Sequence, residues 1–472
     1  MSEKSTICVD LDGTLIHTDL LYESLAKLIK EKPLLLCFLP FWILRGRSFL
    51  KKQLADRISI GVDSLPYNHE LLAELKVCKE RGNRLVLVTA SEERLATDVA
   101  RHLGIFDAVY GTTAENNLKG ENKRVLLSNE FGAGRYVYVG DSKADIPVWR
   151  SAASAWVVVS GKNPLNGVED IVADRIFKRD INRLRVLLRT LRVHQWSKNV
   201  LLFVPLMLAH RLKEVDLVLQ AFYGFFAFSL CASAGYIIND ILDLDADRQH
   251  RSKKFRPIAS GEMPLKVAFL LVPLLLIFAG MLSWLLPDKF LLLVVLYFLA
   301  TVSYSVWLKK IVLVDVIVLA LLYTIRIIAG GAATTVPVSH WLVVFSMFLF
   351  LSLACVKRYA ELKMLDGSDS DKITGRGYDS ADINLIGRFG VSAGYISVLV
   401  IAMYVHGGDV QNLYTLPEVL WLICPLLLYW VSRIWLIAEH GKLNDDPVVY
   451  ALLDRVSYLV AGLMFLVMFL AT

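Results

Sequence analysis

Residues 239–261 read NDILDLDADRQHRSKKFRPIASG and lie between two long apolar runs. Four aspartates are followed by five cations at the point where the chain leaves one apolar run and approaches the next. Charged side chains at a membrane edge are costly and usually functional. Simple pairing of acids with bases in a solvated loop is the alternative interpretation. The first question is therefore whether the flanking runs cross a membrane.

The second half of the chain has the composition of a membrane domain. Apolar runs of roughly 20 residues recur from about residue 199, and such runs are long enough to cross ~30 Å of hydrocarbon. Nine spans are predicted at 199–213, 217–238, 264–286, 289–308, 312–330, 338–358, 387–406, 417–437 and 449–471. Nearly all loop cations lie on one side, while the other side holds Arg211, Lys213 and Lys289. The pattern predicts a multi-pass protein of the inner (cytoplasmic) membrane with a cytosolic N-terminal domain.

Helix geometry gives the aspartates a shared face. If the second span continues helically, four residues fall above one another: Asn239, Asp240, Asp243 and Asp247. Stacked carboxylates repel, and Mg²⁺ is the natural counterion because it combines carboxylates, waters and phosphate oxygens. The cations that follow can donate to the same phosphates: Arg248, Arg251, Lys253, Lys254 and Arg256. We therefore predict a magnesium and phosphate site at Asp240, Asp243 and Asp247.

The pattern NDxxDxxxD followed by KKFRPIASG resembles the first signature of the UbiA-type intramembrane transferases, over about residues 189–472. The resemblance implies an all-α bundle of nine transmembrane helices. It also implies a second signature, for which YSVWLKKIVLVD supplies Tyr304, Ser305, Lys309 and Asp315. Most members move a prenyl group from its diphosphate to an aromatic ring such as 4-hydroxybenzoate. The forms HRSKKFRPIASG, TIRIIAGGAA and KRYAELKML more closely resemble the decaprenyl-phosphate phosphoribosyltransferase branch, whose donor is phosphoribosyl pyrophosphate and whose acceptor is a polyprenyl phosphate.

Both branches need Mg²⁺ and cations to stabilise a leaving diphosphate. Phosphoribosyl transfer needs further cations for the 5-phosphate of the donor and for the lipid phosphate. Four are available at cytosolic helix ends: Lys198, Arg326, Lys357 and Arg358. Snorkelling of these side chains as topology anchors is the alternative. The predicted substrate contacts are these four together with Asn239, Lys253, Lys254, Arg256, Tyr304 and Lys309.

The first 178 residues mix apolar and charged residues as soluble domains do. ICVDLDGTL predicts a strand that ends at Asp10 and Asp12, LVLVTAS one that ends at Thr89, and YVYVGDSKAD one that ends at Asp141. Strands alternating with helical segments imply a parallel sheet that binds ligands at the carboxyl ends of its strands. Structural caps at strand ends are the alternative for these aspartates.

In this order, the three motifs resemble the haloacid dehalogenase family of phosphatases. The resemblance implies a Rossmann-like α/β domain with a helical cap at about residues 16–80. It also implies that Asp10 is the nucleophile that forms an aspartyl phosphate, that Asp12 is the general acid and then base, and that Thr89 holds the phosphoryl oxygens.

The resemblance further implies a metal site and a lysine. Asp10, Asp12 and Asp141 would hold a second Mg²⁺, and Asp145 would contact the substrate. For the lysine that neutralises the transferring group, Lys119 is preferred to Lys123, because its distance before Asp141 suits a short loop and helix.

Two segments have membrane-surface patterns. KPLLLCFLPFWILRGR, at 32–47, is too short to span and either dips into the inner leaflet or packs as a cap helix. Residues 179–198 predict an amphipathic linker helix on an anionic leaflet, with leucines on one face and arginines around it.

Together these patterns predict a bifunctional enzyme. A phosphoribosyl lipid carries a 5-phosphate that the phosphatase-like domain, 1–178, could remove after transfer by the membrane domain, 199–472. An aromatic prenyltransferase with a separate phosphatase-like domain is the alternative, and so is a regulatory domain that senses a phosphometabolite. The net charge of +6 gives no reason to invoke nucleic acid, and the six cysteines show no paired spacing. Oligomeric state, lipid chain length and acceptor identity are left open.

Overall fold

A computed structural model describes residues 5–113, 116–161, 163–364, 376–407, 410, 414–443, 447–451 and 453–472. The chain forms two compact units, and both are discontinuous in sequence. The first comprises Met1–Thr190 and Asp240–Leu271, and the second comprises Leu191–Asn239 and Val272–Thr472. The inserted segment, Asp240–Leu271, carries most of the aspartate-rich stretch, so this stretch belongs to the same unit as the N-terminal part. The domain boundaries at 178 and 198 remain sequence-based predictions.

A parallel sheet forms the centre of the first unit. Within the described residues it has six strands: β1 (Thr6–Val9), β2 (Arg84–Glu92), β3 (Ala108–Thr112), β4 (Tyr136–Gly140), β5 (Ser154–Val159) and β6 (Ala173–Lys178). Their order is β3-β2-β1-β4-β5-β6, and each neighbouring pair is parallel. Val9 is in register with Leu87 and with Val139, so the carboxyl ends of β1, β2 and β4 meet at one edge. The predicted α/β architecture is confirmed.

Helices pack on both faces of this sheet. In the N-terminal part they are α1 (Leu20–Glu31), α2 (Leu39–Leu44), α3 (Arg47–Ala55), α4 (His69–Glu80), α5 (Glu93–Leu103), α6 (Glu121–Phe131), α7 (Ile146–Arg150) and α8 (Arg183–Thr190). Alternate strand residues feed two separate apolar cores, because side chains along a strand point to opposite faces. Side-chain caps start three of the helices, with Asp19 capping α1, Asn68 capping α4 and Glu92 capping α5.

The cap is built from α1, α2, α3 and the intervening turns. Trp42 is buried in a small core with Leu28, Leu54 and Ile58. Leu34 and Leu44, in contrast, are 85% and 86% exposed. The segment 32–47 therefore packs on the cap through one face and exposes apolar side chains on another, so the structure contains features of both sequence interpretations.

The predicted linker helix at 179–198 is shorter than expected. α8 ends at Thr190, and Arg192 has a left-handed backbone, φ 50°, before a 3₁₀ helix at Val193–Phe203. Arg179 donates to the carbonyl oxygens of Ser260 and Gly261, and Arg189 donates to Glu262. These two arginines bind the inserted segment, and an interfacial role for the linker stays a prediction.

The remaining helices, in chain order, are α9 (Val204–Leu208), α10 (Val215–Leu242), α11 (Leu244–Gln249), α12 (Leu265–Trp284), α13 (Asp288–Val306), α14 (Val314–Thr334), α15 (His340–Lys363), α16 (Ile383–His406), α17 (Ile423–Glu439), α18 (Pro447–Ala451) and α19 (Arg455–Ala471). Seven helices among the described residues are long and apolar enough to cross a membrane: Val215–Leu242, Leu265–Trp284, Asp288–Val306, Val314–Thr334, His340–Lys363, Ser380–His406 and Pro417–Glu439. The chain is a multi-pass membrane protein.

The first and last predicted spans differ from the other seven. Residues 199–213 form the end of a 3₁₀ helix and the short α9, because Pro205 lies near the start of that helix and His210 has a positive φ of 56°. The last predicted span corresponds to α18 and the 17-residue α19, with residue 452 outside the described residues. A count of nine spanning helices therefore stays a prediction.

Candidate functional site

The acidic centre lies where β1, β2 and β4 end, and comprises Asp10, Asp12, Lys123, Asp141 and Asp145. Asp10 follows β1 and Asp141 follows β4, and both strands are buried on both faces. Asp10, Asp141 and Asp145 place carboxylate oxygens within 4.8 Å of one another. The structure thus brings together two carboxylates that the strand pattern pointed to, and adds Asp145 to them.

Lys123 is the lysine that contacts the nucleophile position. Its Nζ lies 3.0 Å from Asp10 Oδ1 and 3.6 Å from Asp145 Oδ1, and it donates to the hydroxyl of Tyr138. Burial lowers the pKa of Lys123, but the charges of Asp10 and Asp145 raise it above the usual value. Lys119 is exposed on the cavity wall. The sequence-based preference for Lys119 is therefore corrected, because α6 begins at Glu121 and directs Lys123 inward.

Asp12 is held by groups other than the cluster of three carboxylates. Its Oδ1 accepts from the backbone N–H of Leu20 at 2.9 Å, and its Oδ2 accepts from Ser91 Oγ at 2.5 Å. Burial, together with the charge of Asp19, raises the pKa of Asp12 to about 6. The carboxylate of Asp12 is therefore oriented for proton transfer, and its predicted role as a further metal-ligating carboxylate has no counterpart in the cluster of Asp10, Asp141 and Asp145.

Two hydroxyl groups complete this side of the centre. Thr89 is fully buried, and its Oγ1 accepts from the N–H of Ser91 at 2.9 Å and lies 3.4 Å from Asp12 Oδ2. Thr89 was expected from the sequence, whereas Ser91 was not. The strand pattern could have indicated Ser91, because it follows Thr89 by two residues and its side chain therefore points to the same face of the strand.

The residues of the acidic centre fit a divalent cation. Burial, then the charges of Asp145 and Asp12, raise the pKa of Asp10 to about 7, and burial with the charge of Asp10 raises that of Asp141 well above its usual value. Surplus negative charge of this kind, on oxygen ligands, suits Mg²⁺. Gly13 makes room for it, since a Cβ there would lie 2.3 Å from Asp141 Oδ2. Asp145, predicted as a substrate contact, belongs with the candidate metal ligands.

A cavity of ≈ 1110 Å³ opens from the acidic centre. Its wall away from the aspartates is largely apolar, with residues from the cap, from α8 and from the inserted segment. These include Leu25, Leu39, Ile43, Leu50, Leu54, Leu187 and Met263. The cavity therefore joins a polar end that suits a phosphate to an apolar end that suits a hydrocarbon chain.

The aspartate-rich stretch is not one continuous helix. α10 ends at Leu242, Asp243 has φ −95° and ψ 9°, and α11 starts at Leu244. The N–H of Asp247 donates to the carbonyl oxygen of Asp243 at 2.8 Å, so helical bonding resumes after the break. The predicted single face of four stacked residues is wrong in this respect, because the break at Asp243 changes the direction of the residues beyond it.

Arg256 joins two of these aspartates within the inserted segment. Its Nη1 lies 3.1 Å from Asp240 Oδ1 and 2.6 Å from Asp247 Oδ2. Burial raises the pKa of Asp247, and the charge of Arg256 opposes this. Lys253 and Lys254, the other predicted phosphate contacts of this segment, have exposed side chains in a short 3₁₀ turn. The two buried aspartates and Arg256 are thus the assembled part of the predicted magnesium and phosphate site.

Arg248 forms a buried ion pair that the sequence analysis did not predict. Its guanidinium contacts both carboxylate oxygens of Glu23, at 2.6 and 3.1 Å, and both side chains are 4% exposed. Glu23 also accepts from Thr18 at 2.6 Å, close to the start of α1. Arg248 therefore connects the inserted segment to the cap. From the sequence it was predicted instead to donate hydrogen bonds to a phosphate.

In the second unit, Arg326 is buried within a polar network. It donates to Asn199 Oδ1 at 2.8 Å and to the hydroxyl of Tyr297 at 2.7 Å. Gly330 permits the close approach of α14 to the 3₁₀ helix that carries Asn199, because a Cβ there would lie 2.0 Å from the carbonyl oxygen of Leu202. Arg326 was predicted from the sequence, whereas Asn199 was not, since a lone Asn at the start of an apolar run gives no periodic signal.

The Asp315 cluster comprises Tyr304, Asp315, Arg358 and Arg376. Asp315 is fully buried and accepts from Arg358 at 2.7 Å, from Arg376 at 2.9 Å and from Tyr304 at 2.7 Å. Arg358 is also fully buried and pairs with Glu361. Arg358 and Tyr304 were predicted as substrate contacts, but in the structure their polar groups bind Asp315.

Three predicted lysines of the second unit have different surroundings. Lys309 is buried, and its Nζ lies 3.4 Å from Asn239 Oδ1, which links the second signature to the last residue before the inserted segment. Lys198 is buried with its Nζ 5.5 Å from the centre of the Tyr323 ring. Lys357 is half-buried on α15. The roles of Lys198, Asn239, Lys309 and Lys357 as substrate contacts stay predictions.

Comparison with known proteins adds independent evidence. The UbiA prenyltransferase family matches residues 200–453, and the haloacid dehalogenase-like hydrolase family matches residues 7–150. The uncharacterized protein y4nM of Sinorhizobium fredii is 36% identical over 465 residues, 98% of this chain and 90% of the relative.

Two shorter relatives have functional names. The nodulation protein NoeC of Azorhizobium caulinodans is 32% identical over 58% of this chain and 91% of its own length. The decaprenyl-phosphate phosphoribosyltransferase of Mycobacterium tuberculosis is 34% identical over 41% of this chain and 65% of its own length. With the family match covering residues 200–453 and the second match covering the acidic centre, the chain belongs to the UbiA prenyltransferase family and carries a haloacid dehalogenase-like hydrolase domain at its N-terminal end.

Proposed function

We propose that this protein transfers a 5-phosphoribosyl group from phosphoribosyl pyrophosphate to a polyprenyl phosphate, and then removes the 5-phosphate. The product is a polyprenyl-phosphoryl ribose. The similarity to decaprenyl-phosphate phosphoribosyltransferases supports the first step, and the acidic centre supports the second.

The first step is a substitution at the ribosyl C1 atom. The bond from C1 to the diphosphate breaks, an oxygen of the lipid phosphate bonds to C1, and pyrophosphate leaves. Asp240, Asp243 and Asp247 are the proposed Mg²⁺ ligands, and bound Mg²⁺ supplies positive charge to the leaving diphosphate. Arg256 contacts Asp240 and Asp247. Its guanidinium, which can donate hydrogen bonds to a phosphate, therefore lies beside the proposed Mg²⁺ ligands.

The second step is hydrolysis of a phosphomonoester. Asp10 attacks phosphorus, the bond to the ribose 5-oxygen breaks, and Asp12 gives its proton to the leaving oxygen. Asp12 then takes a proton from the water that hydrolyses the aspartyl phosphate. Lys123 neutralises the phosphoryl group, and the proposed metal ligands of this centre are Asp10, Asp141 and Asp145.

The observation that carries the joint function is the two-ended cavity of the first unit. A soluble phosphometabolite has no hydrocarbon to place against Leu39, Ile43 and Leu54, which line its apolar wall. A lipid-linked 5-phosphate has both a phosphomonoester for the acidic centre and an apolar chain for this wall. We accordingly favour it over a regulatory phosphometabolite.

The proposed location is the inner membrane, with the acidic centre in the cytosol. The phosphates of phosphoribosyl pyrophosphate cannot enter hydrocarbon, so this donor must reach its site from an aqueous compartment, which we propose is the cytosol. The excess of loop cations on one side of the spans supports the same orientation.

The test is to incubate the purified full chain with Mg²⁺, labelled phosphoribosyl pyrophosphate and decaprenyl phosphate, and to identify the lipid product by mass. We expect a decaprenyl-phosphoryl ribose, formed only when the lipid phosphate is present. Efficient prenylation of 4-hydroxybenzoate from a prenyl diphosphate, with no ribosyl lipid, would overturn the proposal in favour of the aromatic prenyltransferase.

A matched pair of variants tests the aspartate site. Asp247→Asn should abolish ribosyl-lipid formation, while hydrolysis of a soluble monoester persists. Asp245→Asn is the control, because Asp245 lies in the same stretch but pairs with Lys27 at 3.8 Å. Equal activity of the two variants would remove Asp247 from the proposed site.

A further inference from the structure

One face of the cap, which carries both cationic and apolar side chains, lines the cavity of the first unit. On α3, Arg47, Leu50, Lys51 and Leu54 all line the cavity. Their spacing of i, i+3, i+4 and i+7 places them on a single helical face. Cations and apolar side chains thus alternate along one wall, beside the acidic centre.

In the part of the chain that the structure describes, Arg47, Lys51 and Lys119 form no direct ion pair with a carboxylate, although the charges of Asp12 and Asp19 act on Lys51. Among the described residues, the side chains of Arg47 and Lys119 make no hydrogen bond or ion pair, while Lys51 Nζ donates to the carbonyl oxygen of Ala90 at 2.5 Å. Arg47 and Lys51 are four residues apart on one helix, an arrangement that repels. An anion bound between them would relieve this repulsion.

The surroundings of Lys51 connect this wall to the reaction. Ala90 lies between Thr89 and Ser91, which contact Asp12. Burial, and the nearby charges of Lys119 and Arg47, lower the pKa of Lys51, whereas Asp12 and Asp19 oppose this shift. Lys51 therefore lies on the wall of the same cavity as the acidic centre, beside the residues that hold Asp12.

One phosphate does not need both sets of charges. At the acidic centre, Lys123 and the carboxylates that would hold Mg²⁺ account for the phosphomonoester. Arg47, Lys51 and Lys119 are additional, and they lie next to Leu39, Ile43, Leu50 and Leu54 of the same cavity. An anion bound by these cations would consequently adjoin a hydrocarbon chain.

We infer that Arg47, Lys51 and Lys119 form a subsite for a second phosphate group, the phosphodiester that joins the sugar to its lipid. This inference rests on the proposed function and deepens it, because it makes the hydrolase site selective for a substrate with two phosphates and an apolar tail. It also gives Lys119 a role different from the one that its sequence position suggested.

Three synthetic probes separate the groups of the substrate. Decyl-phosphoryl-ribose 5-phosphate carries both phosphates and a chain, decyl riboside 5-phosphate lacks the second phosphate, and methyl-phosphoryl-ribose 5-phosphate lacks the chain. Release of inorganic phosphate from each, by the purified full chain with Mg²⁺, gives three values of kcat/KM. We expect the wild type to prefer the decyl-phosphoryl probe to the decyl riboside probe by about tenfold or more, which is the effect of one charge-assisted bond to phosphate.

The variants are Arg47→Gln and Lys51→Gln, with Lys52→Gln as the matched control on the same helix outside the cavity wall. In Arg47→Gln and Lys51→Gln, the preference for the decyl-phosphoryl probe over the decyl riboside probe should fall about tenfold, and in Lys52→Gln it should be that of the wild type. A preference that is the same in all four proteins would overturn the subsite. If the wild type hydrolyses none of the probes, the proposed hydrolase step fails instead, and the two failures are thereby distinguished.

The methyl-phosphoryl probe distinguishes a lipid phosphodiester from a soluble second phosphate. Weaker hydrolysis than that of the decyl-phosphoryl probe supports the lipid as the source of the second phosphate. Equal kcat/KM for the two probes contradicts the apolar part of the inference.

Discussion

The acidic centre of the first unit and the Asp315 cluster of the second unit both bury carboxylates, but they balance charge in opposite ways. The acidic centre holds four carboxylates, and its one lysine, Lys123, pairs with two of them, Asp10 and Asp145. In the Asp315 cluster, two arginines and a tyrosine bind a single carboxylate. Buried charge is tolerated when it is paired, so the first arrangement requires a further cation and the second does not. The acidic centre thus has the charge of a site that binds a cation, whereas the Asp315 cluster has the charge balance of a structural contact between helices.

The largest expected effect tests the binding side of this comparison. Asp10→Asn keeps the shape of the acidic centre but removes the proposed nucleophile, so monoester hydrolysis should fall by at least about 10⁴-fold. Transfer should continue, and the lipid product should be heavier by one phosphate than that of the wild type. Mass analysis of the lipids made by both proteins measures this. Identical products from the two proteins would show that the hydrolase domain does not act on this intermediate.

Asp315→Ala tests the structural side. The substitution removes the buried carboxylate that both arginines bind and leaves them only the partly exposed Glu361, which costs roughly 3–5 kcal/mol and lowers the melting temperature by about 10 °C. The measurement is thermal unfolding of the purified protein in detergent. Glu361→Gln is the control with a smaller expected effect, because Glu361 is one-third exposed. A stable Asp315→Ala protein that has lost transfer activity would instead make Asp315 a substrate-site residue.

A pair of lysine variants tests which lysine serves the acidic centre. Lys123→Met removes the ammonium group that lies 3.0 Å from Asp10 and should lower hydrolysis by about 100-fold. Lys119→Met should lower it less, since Lys119 is exposed on the cavity wall. Both are assayed with ribose 5-phosphate, and Lys123→Arg checks that loss of charge, and not loss of packing, is the cause. The reverse order of effects would restore Lys119 to the role predicted from the sequence.

The smallest expected effect concerns Mg²⁺ and stability. At 100 times its dissociation constant, a ligand stabilises the folded state by about 2.7 kcal/mol, so Mg²⁺ should raise the melting temperature of the first unit by a few degrees. Asp141→Asn should lose most of this shift. Without Mg²⁺ it should be at least as stable as the wild type, because one buried surplus charge has been removed. A destabilised Asp141→Asn protein under these conditions would mean that Asp141 has a structural partner of the kind that Asp315 has.

The parts that sequence could predict are those fixed by short-range periodicity. Asp10, Thr89 and Asp141 follow from apolar, β-branched strands that alternate with helical segments, because the carboxyl ends of such strands meet at one edge of a parallel sheet. Lys123 could not be chosen over Lys119 from the sequence. The two lysines are only four residues apart, and which of them points to Asp10 depends on where α6 begins. The break at Asp243 escaped for a related reason, since the aspartate spacing fits an uninterrupted helix equally well.

Contacts between distant parts of the chain gave no sequence signal at all. The pair of Glu23 and Arg248 joins residues 225 positions apart, and either one alone is an ordinary charged residue. Asn199 is similar, because its bond to Arg326 depends on the close approach that Gly330 permits. Such contacts depend on tertiary packing, which local patterns do not encode.

The discontinuous first unit has a consequence for the order of events during synthesis. Its N-terminal part is translated first. Glu23 can pair with Arg248, and His17 can contact Gly261, only after the inserted segment has been synthesised. Between them the ribosome produces α10, a helix of 28 residues that is apolar enough to enter the bilayer. Completion of the first unit is therefore delayed until this long apolar helix has been synthesised. A nascent chain that stalls before residue 248 would leave Glu23 without its arginine and with Thr18 as its remaining partner, so the cap would lack its buried ion pair.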